Sequence, residues 1–254
     1  MLITRAIIAI VFSLLVFTAS VGLTSQSNDG SVVDHSIYGD LLKKYVKAGL
    51  VNYAGFKSDE DQLDRYLEKL ENFDPKGLPR NEQFAFYANA YNAWTIKLIL
   101  SRYPGVKSIK DLGSLFQSPW KKKIVKIDGG VTTLDDVEHN ILRPRFGDPR
   151  VHFAINCAAK SCPPLRPVPF RGEILDRQLN EATRSFLNDP ASHRLEGNQL
   201  YVSRIFKWFA EDFKDGVFEF YLQYSTGELK KELETKGDKI RVKYLAYDWS
   251  LNGQ

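Results

Sequence analysis

Apolar residues recur at helical spacing over most of the chain and predict a fold dominated by helices. The longest such segment runs from Asn81 to Arg102, is apolar on nearly every face and stops at Pro104 and Gly105. A helix that is apolar all round belongs in the middle of a fold. Shorter helices are predicted over residues 41–50, 63–70, 133–142, 173–186, 204–212, 217–224 and 227–234.

Alternating apolar and polar positions are rarer and predict only a few strands. They form one hairpin over residues 122–133, a second on Glu196-Gly197-Asn198, and single strands at Arg150–Asn156 and Lys239–Leu245. The helix that follows the first hairpin begins at Thr133, whose hydroxyl can cap it. We therefore predict one helix-rich domain over residues 37–252, of the α/β or α+β class, with a small mixed or antiparallel sheet.

The N-terminus has the pattern of an export signal. Arg5 precedes an apolar run from Ala6 to Phe17, and small residues follow. The run is shorter than the roughly 20 residues that span a bilayer. We expect a signal peptide at residues 1–25, a flexible segment at 26–36, a periplasmic or secreted location, and no stable membrane span after cleavage.

Composition and charge exclude several classes of function but do not assign one. The 35 basic and 31 acidic residues leave a net charge of +4, which is too slight to indicate a nucleic-acid partner. The densest basic cluster, Lys121, Lys122, Lys123 and Lys126 beside Trp120, fits a solvated hairpin face or a contact with an anionic glycan or lipid headgroup. The chain has no glycine-rich phosphate loop and no HExxH zinc motif, so we expect no cofactor.

Residues 151–165, VHFAINCAAKSCPPL, contain both cysteines of the chain and a histidine. In an oxidising compartment, two cysteines close in sequence pair by default. Export therefore favours a structural disulfide between Cys157 and Cys162. The same residues also suit a thiol nucleophile with its partner, or half of a metal site.

Five motifs carry a resemblance to a known family. They are YANAYNAWTI at residues 87–96, TLDDVEHNILR at 133–143, DPRVHFAINCAAKSCPPL at 148–165, SRIFKWFAEDF at 203–213 and YDWSLN at 247–252. In this order they resemble the domain-of-unknown-function family 547, from about Leu41 to Asn252. Tyr87 and Ala88 stand where the family usually has a larger Trp-Ile pair. The resemblance implies a recognisable domain without a stated reaction.

The residues permit thiol chemistry. A thiol nucleophile needs a base and a group that orients the base. Cys157 follows a predicted strand end that would expose it, His139 or His152 offers an imidazole, and Glu138 offers a carboxylate. The pattern favours a thiol-dependent hydrolase or acyl transferase. The other groups considered for orienting the base are Asp136, Asn89 and Asn92.

Each of these residues also has a structural interpretation. His139 lies four positions after Asp135 in a short helix. The Asp135 carboxylate and the helix dipole would both stabilise its protonated ring. Alternation with its neighbours makes His152 a half-exposed strand residue. Asn89 and Asn92, on an apolar helix, need hydrogen-bond partners and would support the cysteine loop, as would Asn156. The two remaining histidines, His35 and His193, look like surface residues.

Two further hypotheses stay open. His139, His152, Cys157 and Cys162 form a set that zinc accepts, but their spacing matches no zinc-finger pattern, so we expect no metal. A non-catalytic module would bind a small molecule, peptide or glycan on an aromatic platform. The aromatic residues considered for it are Trp120, Tyr201, Trp208 and Trp249.

Overall fold

A computed structural model describes residues 32–254 and has a helix-rich α+β fold, which confirms the predicted class. The helices are α1 (Ser36–Tyr45), α2 (Tyr53–Ser58), α3 (Glu60–Glu71), α4 (Arg80–Leu100), α5 (Leu134–Asp136), α6 (Arg143–Phe146), α7 (Val151–Ala154), α8 (Leu175–Leu187), α9 (Ile205–Trp208), α10 (Val217–Tyr224) and α11 (Gly227–Lys236). The predicted signal peptide lies outside the described residues, as do residues 26–31 of the segment expected to be flexible.

The strands of the described residues form three small sheets. Their bounds are β1 (Val46–Lys47), β2 (Leu50–Val51), β3 (Val125–Ile127), β4 (Gly130–Thr132), β5 (His193–Glu196), β6 (Gln199–Val202) and β7 (Arg241–Tyr244). The pairs β1–β2, β3–β4 and β5–β6 are antiparallel hairpins, and β7 adds to β6 in parallel. Both predicted hairpins and the predicted C-terminal strand are confirmed, because their turn residues and alternation act locally.

Helix α4 lies at the centre of the larger core, as its apolar composition predicted. Ala90 and Ile99 are fully buried, although they lie on opposite faces of the helix. The neighbouring helices α1 and α3 contribute Leu42, Leu63 and other buried side chains to the same core. A fully buried Phe or Leu stabilises a fold by about 1.5–3 kcal/mol. This core therefore fixes the position of every residue that α4 presents to its neighbours.

A second core fills the C-terminal part of the fold with aromatic rings. Phe206, Phe213, Phe220 and Tyr221 pack on one another with ring centroids 4.6–6.0 Å apart. Helix α7 lies between the two cores, because Val151 and Ala154 belong to the α4 core whereas Phe153 belongs to the aromatic core.

The strand predicted at Arg150–Asn156 is wrong, because Val151–Ala154 form the single-turn helix α7. The side chain of Asp148 accepts the Arg150 N–H at 2.9 Å, and its carbonyl accepts the Val151 N–H at 3.1 Å, which starts the helical turn. A short apolar run buried on all sides has no periodicity that separates a strand from a helix.

Two histidines differ from their sequence interpretations. His35 was interpreted as a surface residue, but it is buried, and its Nδ1 lies 2.7 Å from the Tyr66 hydroxyl. His193 is half-buried, with Nδ1 2.9 Å from the Asp189 carbonyl. Within residues 32–254, no helix has the length and apolar character that crossing a bilayer requires.

Candidate functional site

A cavity of about 210 Å³ opens beside the two cysteines. It collects side chains from α4, the segment after α5, α7, the cysteine loop, α9 and the C-terminal segment. Its titratable lining residues are Tyr91, Asp135, Glu138, His139, His152, Cys157, Cys162 and Tyr247. Cys157, Glu138, His139 and His152, the four residues considered for catalysis, therefore line one cavity although they span 20 positions of the chain.

Buried amides hold the backbone on either side of Cys157. The Asn92 side chain donates to the Ala154 carbonyl and accepts the Asn156 N–H, at 2.9 and 2.8 Å. Asn156 in turn donates to the Pro163 carbonyl at 2.7 Å and accepts the Ala158 N–H at 2.9 Å. Ala158 has a positive φ of 61°. These bonds hold the loop in a turn that few non-glycine residues adopt.

Asn89 supports a different segment. Its side chain donates to the Phe170 carbonyl and accepts the Phe170 N–H, both at 2.9 Å. It therefore fixes the chain that leaves the cysteine loop, and it lies outside the lining of the cavity.

The predicted disulfide is wrong, because both cysteines carry free thiols. The two Sγ atoms lie 2.7 Å apart, and the Cys157 N–H donates to the Cys162 Sγ at 2.8 Å. The Tyr247 hydroxyl lies 3.3 Å from the Cys157 Sγ. Cys157 is partly exposed and Cys162 is buried, so the cavity reaches one thiol more readily than the other.

The two thiols differ in acidity. The hydrogen bond from Cys162 lowers the pKa of Cys157, against the effect of burial, and the Tyr247 hydroxyl lowers it further. Burial raises the pKa of Cys162 well above its ordinary value. We assign the thiolate to Cys157 because the pKa of its thiol is lowered, whereas the pKa of Cys162 is raised. A thiolate at a partly exposed position is the reactive form of cysteine.

Glu138 is a buried carboxyl in the same cavity. It lies in a π-helical segment, Val137–Leu142, which continues the helix that Thr133 caps with a 2.9 Å bond from the Asp136 N–H. The Tyr91 hydroxyl donates to its Oε2 at 3.2 Å. Burial raises the pKa of Glu138 to about 7, although the bond from Tyr91 opposes the shift. The group can therefore give or take a proton near neutral pH.

His152 is buried, contrary to its interpretation as a half-exposed residue. Its Nε2 lies 2.7 Å from the Asp212 Oδ2, and its ring stacks on Phe209 with centroids 4.1 Å apart. Burial lowers the pKa of His152, and the Asp212 carboxylate opposes this shift. The ring is therefore neutral near pH 7 and donates its Nε2–H to Asp212.

Arg143 connects the two histidines. Its Nε donates to the Asp212 Oδ2 at 2.6 Å, and its Nη1 donates to the His139 Nδ1 at 2.9 Å. A guanidinium only donates, so Nδ1 of His139 is the acceptor and the proton of the neutral ring is on Nε2. That Nε2 lies 3.8 Å from Asp135. Burial lowers the pKa of His139.

The described histidines and thiols are hydrogen-bonded to different partners. Across residues 32–254, no hydrogen bond joins His139 or His152 to either cysteine sulfur. Within the same residues, no cluster of three or more His, Cys, Asp or Glu side chains has the arrangement of a metal site. The hydrogen-bond partners of Cys157 in the described structure are instead Cys162 and Tyr247.

Aromatic rings form another part of the cavity lining. Tyr247 packs against Trp208 and Trp249 with centroids 4.8 and 4.5 Å apart, and Trp120 meets Trp249 at 5.7 Å. Trp208 is 41% exposed, so this wall reaches the surface. Tyr201 belongs to β6 and packs against Arg194, away from the cavity.

Sequence reasoning missed four residues of the site. Tyr91 and Tyr247 bond the carboxyl and the thiol, and Asp212 and Arg143 hold the histidines. All four occur in the motifs that carry the family resemblance, which was the available signal. The pairings of Tyr91, Asp212 and Tyr247 span 47 to 90 positions of the chain, which spacing does not reveal, whereas Arg143 and His139 lie four positions apart.

Residues 75–187 match the family described as Protein of unknown function, DUF547, which confirms the resemblance over this part of the chain. The matched segment contains Glu138, His139, His152 and both cysteines. Asp212 and the aromatic residues Trp208, Tyr247 and Trp249 follow it. Searches among curated proteins and among solved structures gave no match.

Proposed function

We propose that the cavity is the active site of a thiol-dependent hydrolase or acyl transferase, with Cys157 as the nucleophile. One observation carries the proposal: the partly exposed Cys157 Sγ lies 2.7 Å from the Cys162 Sγ and 3.3 Å from the Tyr247 hydroxyl, and it shares its cavity with the carboxyl of Glu138. The two groups have complementary states near neutral pH, because the pKa of Cys157 is lowered and that of Glu138 is raised. A nucleophile and a proton donor are the minimum that acyl transfer requires.

In the first half of the reaction, the Cys157 thiolate attacks the carbonyl carbon of an ester or amide. The new C–S bond forms a thioester, the bond to the leaving group breaks, and the leaving group takes the proton of Glu138. In the second half, water or an acceptor hydroxyl or amine attacks the thioester. It gives its proton to the Glu138 carboxylate, and Cys157 leaves as thiolate.

The two histidines have a supporting role in this scheme. Asp212 holds the Nε2–H of His152, and Arg143 holds the Nδ1 of His139, so each ring has one nitrogen committed to a neighbour. Both line the cavity in their neutral forms. They position the substrate and leave the wall beside the thiolate without a competing positive charge.

The cavity also limits the substrate class. A volume of about 210 Å³ holds a small acyl group or the end of a longer chain. The wall of Trp120, Trp208, Tyr247 and Trp249 offers apolar faces with polar edges, which suits a sugar ring or a peptide side chain beside the acyl group. We propose a peptide or glycan that carries an ester or amide, and a mechanism without a cofactor.

The first test uses p-nitrophenyl acetate as a small activated ester and does not require the natural substrate. We expect a burst of p-nitrophenol of about one equivalent, followed by slow turnover. Intact mass and peptide mapping should place the acetyl group on Cys157. The variant Cys157→Ala should lose the burst, whereas Cys162→Ala should keep it, with a pH profile moved to higher pH. A burst that persists in Cys157→Ala, or an acetyl group on another residue, contradicts the proposal.

The aromatic wall favours a second candidate, a binding module that holds a peptide or glycan without reacting. In this case p-nitrophenyl acetate gives no burst. Trp208→Ala weakens binding of the ligand, whereas Cys157→Ala leaves it unchanged. The two functions are therefore separated by the same set of variants.

We also propose that the chain is exported and works in the periplasm or outside the cell. The support is the basic start and the apolar run at residues 5–17. N-terminal sequencing of the protein from cell fractions tests this. A mature protein that begins between residues 20 and 28 in the exported fraction is expected, and an intact Met1 in the cytoplasmic fraction contradicts it.

A further inference from the structure

The two most exposed large apolar side chains of the described residues are neighbours. Leu115 is 91% exposed and Phe116 is 94% exposed, whereas the next, Val131, is 58% exposed. Single exposed apolar residues are common on proteins, but an adjacent pair held in solvent indicates an interaction site.

A short closed turn presents this pair. Ser114 and Gln117 exchange backbone hydrogen bonds of 2.9 and 3.4 Å, which places Leu115 and Phe116 at the two central positions. The Ser114 hydroxyl accepts the N–H groups of both Phe116 and Gln117. The base of the turn is fixed on the fold, because Leu112 and Pro119 are buried. A hydrogen-bonded turn with a buried base therefore holds the apolar pair in solvent.

Lysines flank the turn along the chain. Residues 107–126 contain six lysines and one acidic residue, Asp111, whose carboxylate already accepts the N–H groups of Lys107 and Ser108. Within residues 32–254, no carboxylate forms an ion pair with Lys121, Lys122 or Lys123. The charge of these lysines is available to an anionic partner.

We infer that the turn Ser114–Gln117 and the lysines of residues 121–123 form a docking surface for a bilayer with anionic headgroups. The apolar pair would enter the acyl boundary, and the lysines would remain at the level of the headgroups. A projecting apolar tip with cations beside it matches the layered polarity of a bilayer.

The surface adjoins the proposed active site. Ser118 and Trp120, which directly follow the turn, line the cavity, and Lys110 lies over the Trp249 ring at 3.9 Å. Docking would therefore bring the cavity mouth close to the headgroups. The inference itself stands on the turn and the lysines, and it holds whether or not Cys157 is a nucleophile.

The test is flotation of the full chain with vesicles, either of phosphatidylcholine alone or of phosphatidylcholine with about 30% phosphatidylserine. Binding to the neutral vesicles is subtracted, so that any contribution of the N-terminal apolar run is removed. We expect binding that depends on the anionic lipid and weakens as salt screens the lysines.

Two variants and two matched controls assign this binding. The double variant Leu115→Ser with Phe116→Ser should lower it at least tenfold. The triple variant Lys121→Gln, Lys122→Gln, Lys123→Gln should lower it by about tenfold to a hundredfold at low salt, since each lysine near an anionic surface contributes about fivefold. The controls change exposed apolar residues and lysines elsewhere, as Val131→Ser with Val168→Ser, and as Lys214→Gln, Lys239→Gln, Lys243→Gln. They should bind like the unmodified chain.

Three results would overturn the inference. One is equal binding to neutral and anionic vesicles, and another is equal loss in the variants and their controls. The third is a dimer, seen by sedimentation, that the serine pair abolishes while vesicle binding is absent. That result would assign the turn to a contact between copies of the chain.

Discussion

The two walls of the cavity are built differently. The wall with Tyr91, Glu138 and Cys157 comes from the matched family segment, and buried amides and the central helix α4 hold it. The second wall, with Trp208 and Tyr247, comes from later in the chain, and ring packing at a partly exposed surface holds it. Under the proposed function, the first wall holds the reacting groups and the second wall contacts the ligand. Four substitutions, each of which removes or neutralises one polar group in these walls, test the contribution of that group to stability or to the reactivity of Cys157.

The largest expected effect is on the first wall, from Asn92→Ala. The change leaves the Ala154 carbonyl and the Asn156 N–H buried without their partner. Each unsatisfied buried group costs about 1–3 kcal/mol, so the free energy of unfolding should fall by about 3 kcal/mol in urea titrations. The exposed Asn72→Ala, which removes one bond at a helix end, is the control and should cost less than about 1 kcal/mol. Equal losses in the two variants would show that the amide does not hold the cysteine loop.

Glu138→Gln should change how stability depends on pH. The pKa of Glu138 is raised from 4.5 to about 7 by burial, so the folded state holds this proton more tightly than the unfolded chain. Ionisation therefore destabilises the fold as pH rises from about 4.5 to 7, and the full penalty of about 3 kcal/mol is present above pH 7. The variant should match the unmodified protein near pH 4 and exceed its stability above pH 7.

Thermal and urea unfolding at pH 4, 6 and 8 measure this difference. The exposed Glu219→Gln removes one negative charge from the surface and should change stability by less than about 0.5 kcal/mol at each pH. A gap between Glu138→Gln and the unmodified protein that stays constant from pH 4 to pH 8 would contradict the raised pKa.

The sequence predicted the elements of the first wall better than their contacts. The apolar composition of α4 and the cap at Thr133 act locally, so both appear where the sequence placed them. The segment 151–154 was assigned to a strand, which put His152 on a half-exposed face. In the structure this segment is a helical turn between two cores, and the four side chains divide among the cores and the cavity. Only the tertiary packing settles such an assignment.

The second wall was the harder one to predict. Trp120, Trp208 and Trp249 were considered for an aromatic platform, and they do meet, but Tyr201 was grouped with them and lies elsewhere. Tyr247 and Asp212 were given no role, because their partners Cys157 and His152 lie 90 and 60 positions away. Periodicity and spacing carry no information on such pairings.

Cys162→Ala tests how far Cys162, in the first wall, lowers the pKa of Cys157. The hydrogen bond from Cys162 is the largest influence that lowers the pKa of Cys157, so its loss should raise that pKa. Alkylation of Cys157 by iodoacetamide at pH 7 should slow by about fivefold or more, and its pH profile should move to higher pH. Ser161→Ala changes the adjacent position of the same loop and should leave the profile in place. An unchanged pH profile of alkylation in Cys162→Ala would show that Cys162 does not control the reactivity of Cys157.

Tyr247→Phe tests how far the Tyr247 hydroxyl, in the second wall, lowers the pKa of Cys157. Its effect should be the smallest of the four. The Tyr247 hydroxyl lies 3.3 Å from the Cys157 Sγ, farther than the Cys162 Sγ at 2.7 Å, and it lowers the pKa of Cys157 less. Alkylation at pH 7 should slow by about twofold, in the same direction as in Cys162→Ala. Tyr201→Phe removes a hydroxyl that bonds Gln199 outside the cavity and is the matched control. If Tyr247→Phe slowed alkylation more than Cys162→Ala, the thiolate would depend chiefly on the aromatic wall, and the two walls would act as one unit.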